Sequence, residues 1–482
     1  MITRLVPPKA TVVVIGGGIM GASTAYNLVK RGVTDVVVLE KGAVTSGTTW
    51  HAAGLVSQLK SSHALSDLAV RSLKLYAELE EETGQATGFR TPGSISIAAT
   101  PARLEEMKRT VSMSKTLGLD VREIGHDELR ERVPLIRTDD VLGAFFNPND
   151  GMTSPVDTTM ALLKGATMGG AQIFENVGVK RILRDGTKCI GVELDDANGT
   201  TIEADAVVVA SGMWSRELAS AIGVNVPLQA CEHFYIVTEP LEGVERGMPV
   251  VRDPENLTYF KEETGKLMAG FFEPRGKVWN LDGIPRDWPA FGTIPEDRLD
   301  HLLPLIEAAT RRIPALEGAG VQLFFNGPES FTPDGRYLLG ESAEVEGCFI
   351  AAGFNSVGIQ SAGGAGWALA GLIVDGYAPI DLSSVDVKRA SPFQGKKTYL
   401  AARIPESLGL LYAMHWPFRQ YESARGERHS VLHDAIAQRG AVFGETAGCV
   451  QTHVIFQNLP FSHPSPPPLS HSAGMASQMG AA

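Results

Sequence analysis

Thr11-Val12-Val13-Val14-Ile15-Gly16-Gly17-Gly18-Ile19-Met20-Gly21-Ala22 reads as a strand, a glycine turn and the start of a helix, and this order decides the fold. Residues 11–15 are apolar and β-branched, as in a parallel strand buried on both faces, and residues 22–30 carry a helical pattern. The glycines between them have the spacing of a dinucleotide-binding turn. Gly16 permits the tight turn, Gly18 lets backbone N–H groups approach a pyrophosphate, and Gly21 lets the helix pack closely on the strand. The helix N-terminus adds a partial positive charge. A second strand, 35–39, ends in Glu40, about 20 residues on, where a carboxylate accepts hydrogen bonds from ribose hydroxyls. An acid there favours FAD or NAD over NADP and does not separate the first two. A glycine turn in a parallel sheet without any ligand is the plainer alternative.

Composition bounds the rest. The chain has 482 residues, 44% hydrophobic and 20% charged, enough for a large core and two or three domains. A net charge of −12 argues against nucleic acid or an anionic membrane surface as partner, since both call for a basic face. Cys189, Cys231, Cys348 and Cys449 lack C-x-x-C spacing, so neither a metal site nor a disulfide framework is expected, and the thiols are expected to be buried and reduced. No stretch offers about 18 uninterrupted apolar residues for a membrane span, and residues 1–9 are too short for a targeting peptide. A cytoplasmic location is expected.

Outward from the first turn the pattern is α/β. Helices are expected at 64–82, ending at Gly84, and at 101–117, 157–168, 298–313 and 363–375. Strands are expected at 93–99, 171–174, 177–183, 189–194, 206–210, 320–325 and 348–352. Alternating short runs between 229 and 272, such as 233–238 and 266–270, suit an antiparallel sheet covering the cofactor. The expected fold class is α/β, a Rossmann-like FAD-binding domain with an inserted, mostly antiparallel β-sheet substrate domain. Its oxidoreductase region covers 10–380. FAD-binding parts are expected at 10–90, 150–220 and 320–380, and substrate-domain parts at 91–149 and 221–319.

A family resemblance rests on Ser46-Gly47-Thr48-Thr49-Trp50-His51-Ala52-Ala53-Gly54-Leu55, Leu79-Glu80-Glu81-Glu82-Thr83-Gly84, Asn326-Gly327-Pro328-Glu329-Ser330-Phe331-Thr332-Pro333-Asp334 and Gly353-Phe354-Asn355-Ser356. From about residue 10 to 448 the chain resembles the sarcosine and dimethylglycine dehydrogenases, amine-oxidising flavoproteins of the D-amino-acid-oxidase-like group. The resemblance implies a covalent bond from His51 to the 8α-methyl of FAD. It implies further FAD contacts at Ile19, Met20, Glu40 and Lys41, along Gly47 to Leu55, at Val179 and Trp214, and along Phe354-Asn355-Ser356-Val357-Gly358-Ile359. His233 and Tyr259 match the histidine and tyrosine that sit at the substrate in dimethylglycine enzymes, with a proposed role in amine deprotonation and positioning. A histidine titrating near neutrality suits that role. His51, Trp214, Phe354, His233 and Tyr259 each also have a plain reading as a core, strand or loop residue.

The implied activity is oxidative demethylation of sarcosine or a related N-methylglycine. A hydride equivalent passes to flavin N5, and the iminium yields formaldehyde. Arg252, Lys261 and Arg336 are candidates to hold the substrate carboxylate. An electron-transferring flavoprotein is the acceptor the resemblance implies. An oxygen-using oxidase, or a non-catalytic regulatory subunit resembling that of pyruvate dehydrogenase phosphatase, are the alternatives. Residues 381–448 read as a linker and the start of a truncated folate-binding domain, so 382–448 are expected to be poorly anchored and tetrahydrofolate is not expected to bind. After Gly448 the resemblance ends, and 449–482, with Pro464-Ser465-Pro466-Pro467-Pro468, is expected to be a disordered tail.

Overall fold

The apolar run at the head of the chain becomes the strand Lys9–Ile15, hydrogen-bonded on both edges within an eight-stranded sheet. A computed structural model of the chain describes residues 5–285, 287–295, 300–415, 419–446 and 449–455. The main path of this sheet runs Leu338–Glu341, Cys348–Ala352, Thr201–Val209, Lys9–Ile15, Val36–Leu39, Gln172–Phe174. All pairs along it are parallel except the first. Val179–Asp185 and Lys188–Leu194 add an antiparallel branch beside Thr201–Val209. Because alternate side chains point to opposite faces, Val12 and Val14 enter one apolar core while Val13 and Ile15 enter another.

The first core is closed by four helices, Ile19–Lys30, His63–Thr83, Pro155–Met168 and Gly358–Asp375. His63–Thr83 is capped by the Ser62 hydroxyl and stopped, as expected, by Gly84, at φ +64°. Small residues in Gly358–Asp375 let backbones touch. A Cβ at Gly364 would lie 2.1 Å from the Leu68 carbonyl oxygen, and one at Gly366 would lie 2.3 Å from Ser23 Oγ.

The second eight-stranded sheet runs Val321–Phe331, Gln229–Pro240, Lys266–Phe271, Thr258–Glu263, Val250–Asp253, Ser94–Ala98, Gly143–Asn147, Arg122–Ile124. Only Val250–Asp253 and Ser94–Ala98 pair in parallel, so the expected mostly antiparallel substrate domain is present. Its boundary differs from expectation. Val321–Phe331 belongs to this sheet rather than to the nucleotide sheet, so the return to the first domain comes after Phe331 and not at residue 320.

Two expectations about the C-terminal part are partly corrected. Among the described residues after 381, most of the helix Lys397–Gly409 and the Glu445 side chain are buried, whereas 425–440 are largely exposed. Leu400, Ile404 and Leu408 of the helix Lys397–Gly409 share a buried cluster with Cys231, Tyr259 and Phe331. Arg403 pairs with Glu445 at 2.6 Å, both side chains 2% exposed, and also donates to the Ser423 carbonyl. The strand Cys449–Ile455 pairs with Ala441–Thr446, so those seven residues are not disordered; the remainder of the expected tail lies outside the described residues. Cys189, Cys231 and Cys348 are buried free thiols. Among the described residues no helix is long and apolar enough to cross a membrane, and no His, Cys, Asp or Glu cluster could hold a metal ion.

Candidate active site

A cavity of about 1140 Å³ runs from the first glycine turn to the face of the second sheet. That exceeds the ~300–1,000 Å³ of common small-molecule pockets and leaves room for a dinucleotide beside a small substrate. Each glycine at its mouth has a distinct steric reason. At Gly16, φ is +115° and a Cβ would lie 2.4 Å from the Ala210 carbonyl oxygen; at Gly21 a Cβ would lie 1.9 Å from the Gly16 oxygen. At Gly18 a Cβ would meet only Thr49 Oγ1, at 3.1 Å, so this glycine keeps the turn open to a ligand rather than to protein. Gly18 caps the helix without a side chain, leaving N–H groups beside the cavity.

Glu40 ends its strand facing the same space, where Gly17 N–H donates to one carboxylate oxygen (2.8 Å) and Gly42 N–H to the other (2.9 Å). Lys41 Nζ lies 3.8 Å from the Trp214 ring centroid, and burial lowers its pKa. Val179 completes this end of the wall.

The segment Thr48–His51 is a short 3-10 turn that buries His51. Its ring stacks on Phe325 at 4.7 Å, and Trp50 meets it edge-on at 5.5 Å. Burial, reinforced by His233, lowers the His51 pKa to about 3, so the imidazole is neutral. Of the residues expected at the cofactor, Gly16, Gly18, Ile19, Met20, Glu40, Lys41, Gly47, Thr48, Thr49, His51, Ala52, Ala53, Gly54, Leu55, Val179, Trp214 and Phe354 to Ile359 all line the cavity. Gly21 and Trp50 do not: Gly21 packs helix on turn, and Trp50 wedges between Phe291 and Phe325 behind His51.

The second sheet presents one row across the cavity. Register places Phe325 beside Tyr235, Tyr235 beside Gly270, Gly270 beside Tyr259, and Tyr259 beside Arg252. Gly270 is required there because a Cβ would fall 2.1 Å from the Tyr259 ring. In the next row Gly327 faces His233, and a Cβ at Gly327 would lie 2.5 Å from Phe325 and 3.4 Å from His51 Cε1. His51, His233 and Tyr259 therefore meet in one space. Burial lowers the His233 pKa to about 4 and raises that of Tyr259, which corrects the expectation of a histidine titrating near neutrality. His233 Nδ1 is buried and has no hydrogen-bond partner.

Of the three basic candidates only Arg252 reaches the cavity; its Nη2 donates to Ser57 Oγ (3.1 Å) and its Nε is buried and unpartnered. Lys261 instead donates to the Ala53 carbonyl and pairs with Glu263, and Arg336 lies off the cavity. Among the lining residues that sequence reasoning did not single out as site residues are Lys60, Phe325, Glu329 and Tyr412, although Glu329 lies in the 326–334 stretch that carries the family resemblance. Lys60 donates to Ser57 Oγ (2.7 Å) and to Gln360, and burial beside Arg252 pushes its pKa well down. Tyr412 stacks on Phe272 at 4.3 Å.

The turn before Gly358–Asp375 is strained, with Asn355 at φ +47° and Ser356 at φ +60°. Asn355 Oδ1 accepts from Thr332 N–H, and the Glu329 carboxylate accepts from Ser356 N–H (2.9 Å) and Oγ–H (2.5 Å). The open glycine turn, the fixed acid at 40 and the unpartnered polar atoms of His233 and Arg252 at the far end together fit a dinucleotide with a substrate beyond it.

Residues 11–372 match the FAD dependent oxidoreductase family, and residues 375–430 match its central-domain model. Among curated proteins the chain is 40% identical to 4-methylaminobutanoate oxidase (formaldehyde-forming) of Paenarthrobacter nicotinovorans, covering 92% of this chain and 53% of that protein. It is 37% identical to mitochondrial sarcosine dehydrogenase of Mus musculus (92% and 48%), and 36% to the mouse pyruvate dehydrogenase phosphatase regulatory subunit (92% and 50%). The chain thus spans about half the length of the curated relatives it matches. L-Proline dehydrogenase from P. horikoshii superposes with a TM-score of 0.71 at 27% identity, covering 80% of this chain and 98% of that one.

Proposed function

The chain belongs to the FAD dependent oxidoreductase family, and from that premise we propose that it oxidatively demethylates a small N-methyl amino acid, with sarcosine and dimethylglycine the first candidates. One observation carries the reading. His51, His233, Tyr259 and the unpartnered Arg252 Nε open on a single cavity that begins at the phosphate turn. Gly16 and Gly18 with the helix N-terminus would hold the pyrophosphate, Glu40 the ribose, and His51 would be the covalent tether. A neutral imidazole has the lone pair that such a bond needs. When bound, the flavin supplies the acceptor for a hydride equivalent.

The protein's own contribution is orientation in a dry pocket. Arg252, with Lys60 beside it, is the proposed seat of the substrate carboxylate. His233 and Tyr259 would hold the amine from the facing sheet, His233 as a neutral hydrogen-bonding ring. An electron-transferring flavoprotein is the proposed acceptor and formaldehyde the proposed product.

The test is anaerobic reduction of the flavin-loaded protein by sarcosine, dimethylglycine and 4-methylaminobutanoate in parallel. Bleaching by at least one supports the reading. A flavin left oxidised by all three sinks it in favour of a non-catalytic binding module. Reoxidation by air within seconds would replace the flavoprotein acceptor by oxygen. Denaturing electrophoresis tests the tether: flavin fluorescence should stay with the wild-type polypeptide and be lost from His51→Ala, and colour that separates from unfolded wild type excludes the bond.

A further inference from the structure

Oxidising an amine requires a free nitrogen lone pair, yet an N-methyl amino acid reaches the pocket at neutral pH as an ammonium. The proton needs an acceptor close to the amine, and buried neutral His233 is a poor one. Five acids line the cavity among the described residues: Glu40, Asp195, Glu217, Asp282 and Glu329. Glu40 is held by the turn amides, Glu217 accepts from Ile284 N–H (3.3 Å), and Asp282 pairs with Lys397 (3.0 Å). Asp195 follows the strand Lys188–Leu194 of the first sheet.

Glu329 alone among them stands on the second sheet. In the strand Val321–Phe331 it is two residues from Gly327, which abuts His51, and two from Phe331, which meets the His233 ring at 6.1 Å. Resting on the function proposed above, we infer that Glu329 is a further catalytic residue, the group that takes the ammonium proton from the bound substrate.

In this step one N–H bond of the ammonium breaks, an O–H bond forms on the Glu329 carboxylate, and the electron pair stays on nitrogen. A cation and an anion become two neutral groups, so no net charge enters the buried pocket. The Ser356 N–H and Oγ–H fix the carboxylate and still leave each oxygen a lone pair. Burial, opposed by those two bonds, raises the Glu329 pKa to about 7, which lets it shuttle a proton at neutrality. Its neighbours do not compete for the charge. The Cys231 thiol across the strand pair and the Tyr259 hydroxyl beyond it are both pushed up by burial, and His51 is neutral.

The experiment compares flavin-loaded wild type, Glu329→Gln and His233→Gln by anaerobic stopped flow with sarcosine from pH 6 to 9. Wild type and His233→Gln should show an ionisation near 7 in the efficiency of flavin reduction. Glu329→Gln should lose it, fall at least about tenfold at pH 7, and recover about tenfold per pH unit as free amine accumulates in solution. Gln can still accept Ser356 N–H through its carbonyl oxygen and donate its amide N–H to Ser356 Oγ, so both contacts persist and a purely structural role predicts no change in profile.

Binding gives a readout without turnover. Trimethylglycine has no ammonium proton to give, so its affinity for wild type, read from the flavin difference spectrum, should rise as Glu329 ionises through pH 7. Flat binding across that range overturns the inference even without a variant. A reduced wild type whose ionisation survives in Glu329→Gln overturns the role of Glu329 alone. A wild type that no N-methyl amino acid reduces overturns the demethylation reading and this step with it.

Discussion

His51 and His233 meet the cavity as neutral rings because the fold removes water from them, and the same burial holds protons on nearby acids. Glu273 is the extreme case: it is 3% exposed, neither carboxylate oxygen has a partner, and its pKa is raised to about 8. Between its usual value and 8 the folded chain keeps a proton that the unfolded chain has lost. The stability this lends is complete below about 4.5 and disappears as pH climbs through 8. Glu273→Gln cannot ionise, so relative to wild type it should gain roughly 3 to 5 kcal/mol between pH 4.5 and 8. Urea denaturation at a series of pH values measures this, and a constant offset between the two proteins excludes it. His233, with its pKa depressed to about 4, has the opposite sign. Its contribution is complete above about 6.5 and is lost as pH falls towards 4, a loss that His233→Gln should escape. At Arg252 the expected effect is on substrate rather than on stability. On the proposed function, replacing its guanidinium, whose buried Nε has no partner, by Met should cut kcat/KM for N-methyl amino acids by about 10- to 100-fold, the weight of a charge-assisted bond. An N-methyl amine without a carboxylate should be oxidised equally by both proteins, and equal losses on both substrates would remove Arg252 from carboxylate binding.

The turn between Lys9–Ile15 and Ile19–Lys30 separates packing from ligand binding at neighbouring glycines. Gly21→Ala would force a methyl against the Gly16 carbonyl oxygen and should cost about 1–3 kcal/mol with loss of flavin, whereas Gly18→Ala meets only the Thr49 hydroxyl. Gly18→Ala should therefore keep its melting temperature and lose affinity for FAD, measured by titrating the apoprotein; a matching loss of stability in both variants would contradict this division. Such local constraints are what made this element readable from sequence, as was the stop of His63–Thr83 at Gly84. Long-range compensation hid other elements. Gly327 and Pro328 look like strand breakers, yet Val321–Phe331 runs through them. It lies at the end of the sheet order, where a missing N–H is tolerated, and Gly327 makes space for Phe325 and His51. Glu329 was invisible as a cavity residue for that reason. The helix Gly358–Asp375 starts five residues before its expected position because Glu329 and Thr332, far away in sequence, hold the strained turn that precedes it. His51 and Tyr259 were legible by resemblance, but the burial that sets their charge arises only when the two sheets meet.

At the scale of the molecule, the cavity is a joint product of three parts of the chain. The nucleotide sheet supplies its mouth, the antiparallel sheet its far wall, and the segment after residue 380 closes one side. Leu400, Ile404 and Leu408 bury against Cys231 and Phe331, and Leu411 and Tyr412 reach the cavity itself. Arg103 fastens this segment through the Tyr412 carbonyl (2.8 Å), and Arg403 through Glu445 and Ser423. A chain ending at residue 380 would keep every glycine of the phosphate turn as well as His51, His233 and Tyr259, yet would uncover Phe272 and the cluster around Cys231. If the site depends on its two sheets alone, that shortened chain should still retain flavin. The packing predicts otherwise: exposure of so many apolar side chains should leave it aggregating and unable to hold FAD. Arg403→Met tests the same dependence more gently, since it strands a buried Glu445 carboxylate and should cost about 3–5 kcal/mol. Arg403→Met combined with Glu445→Leu removes both charges and should recover much of that loss in thermal unfolding. If the single variant unfolds at the wild-type temperature, or the double variant fares no better than the single, the C-terminal segment is not the clamp that the buried pair implies.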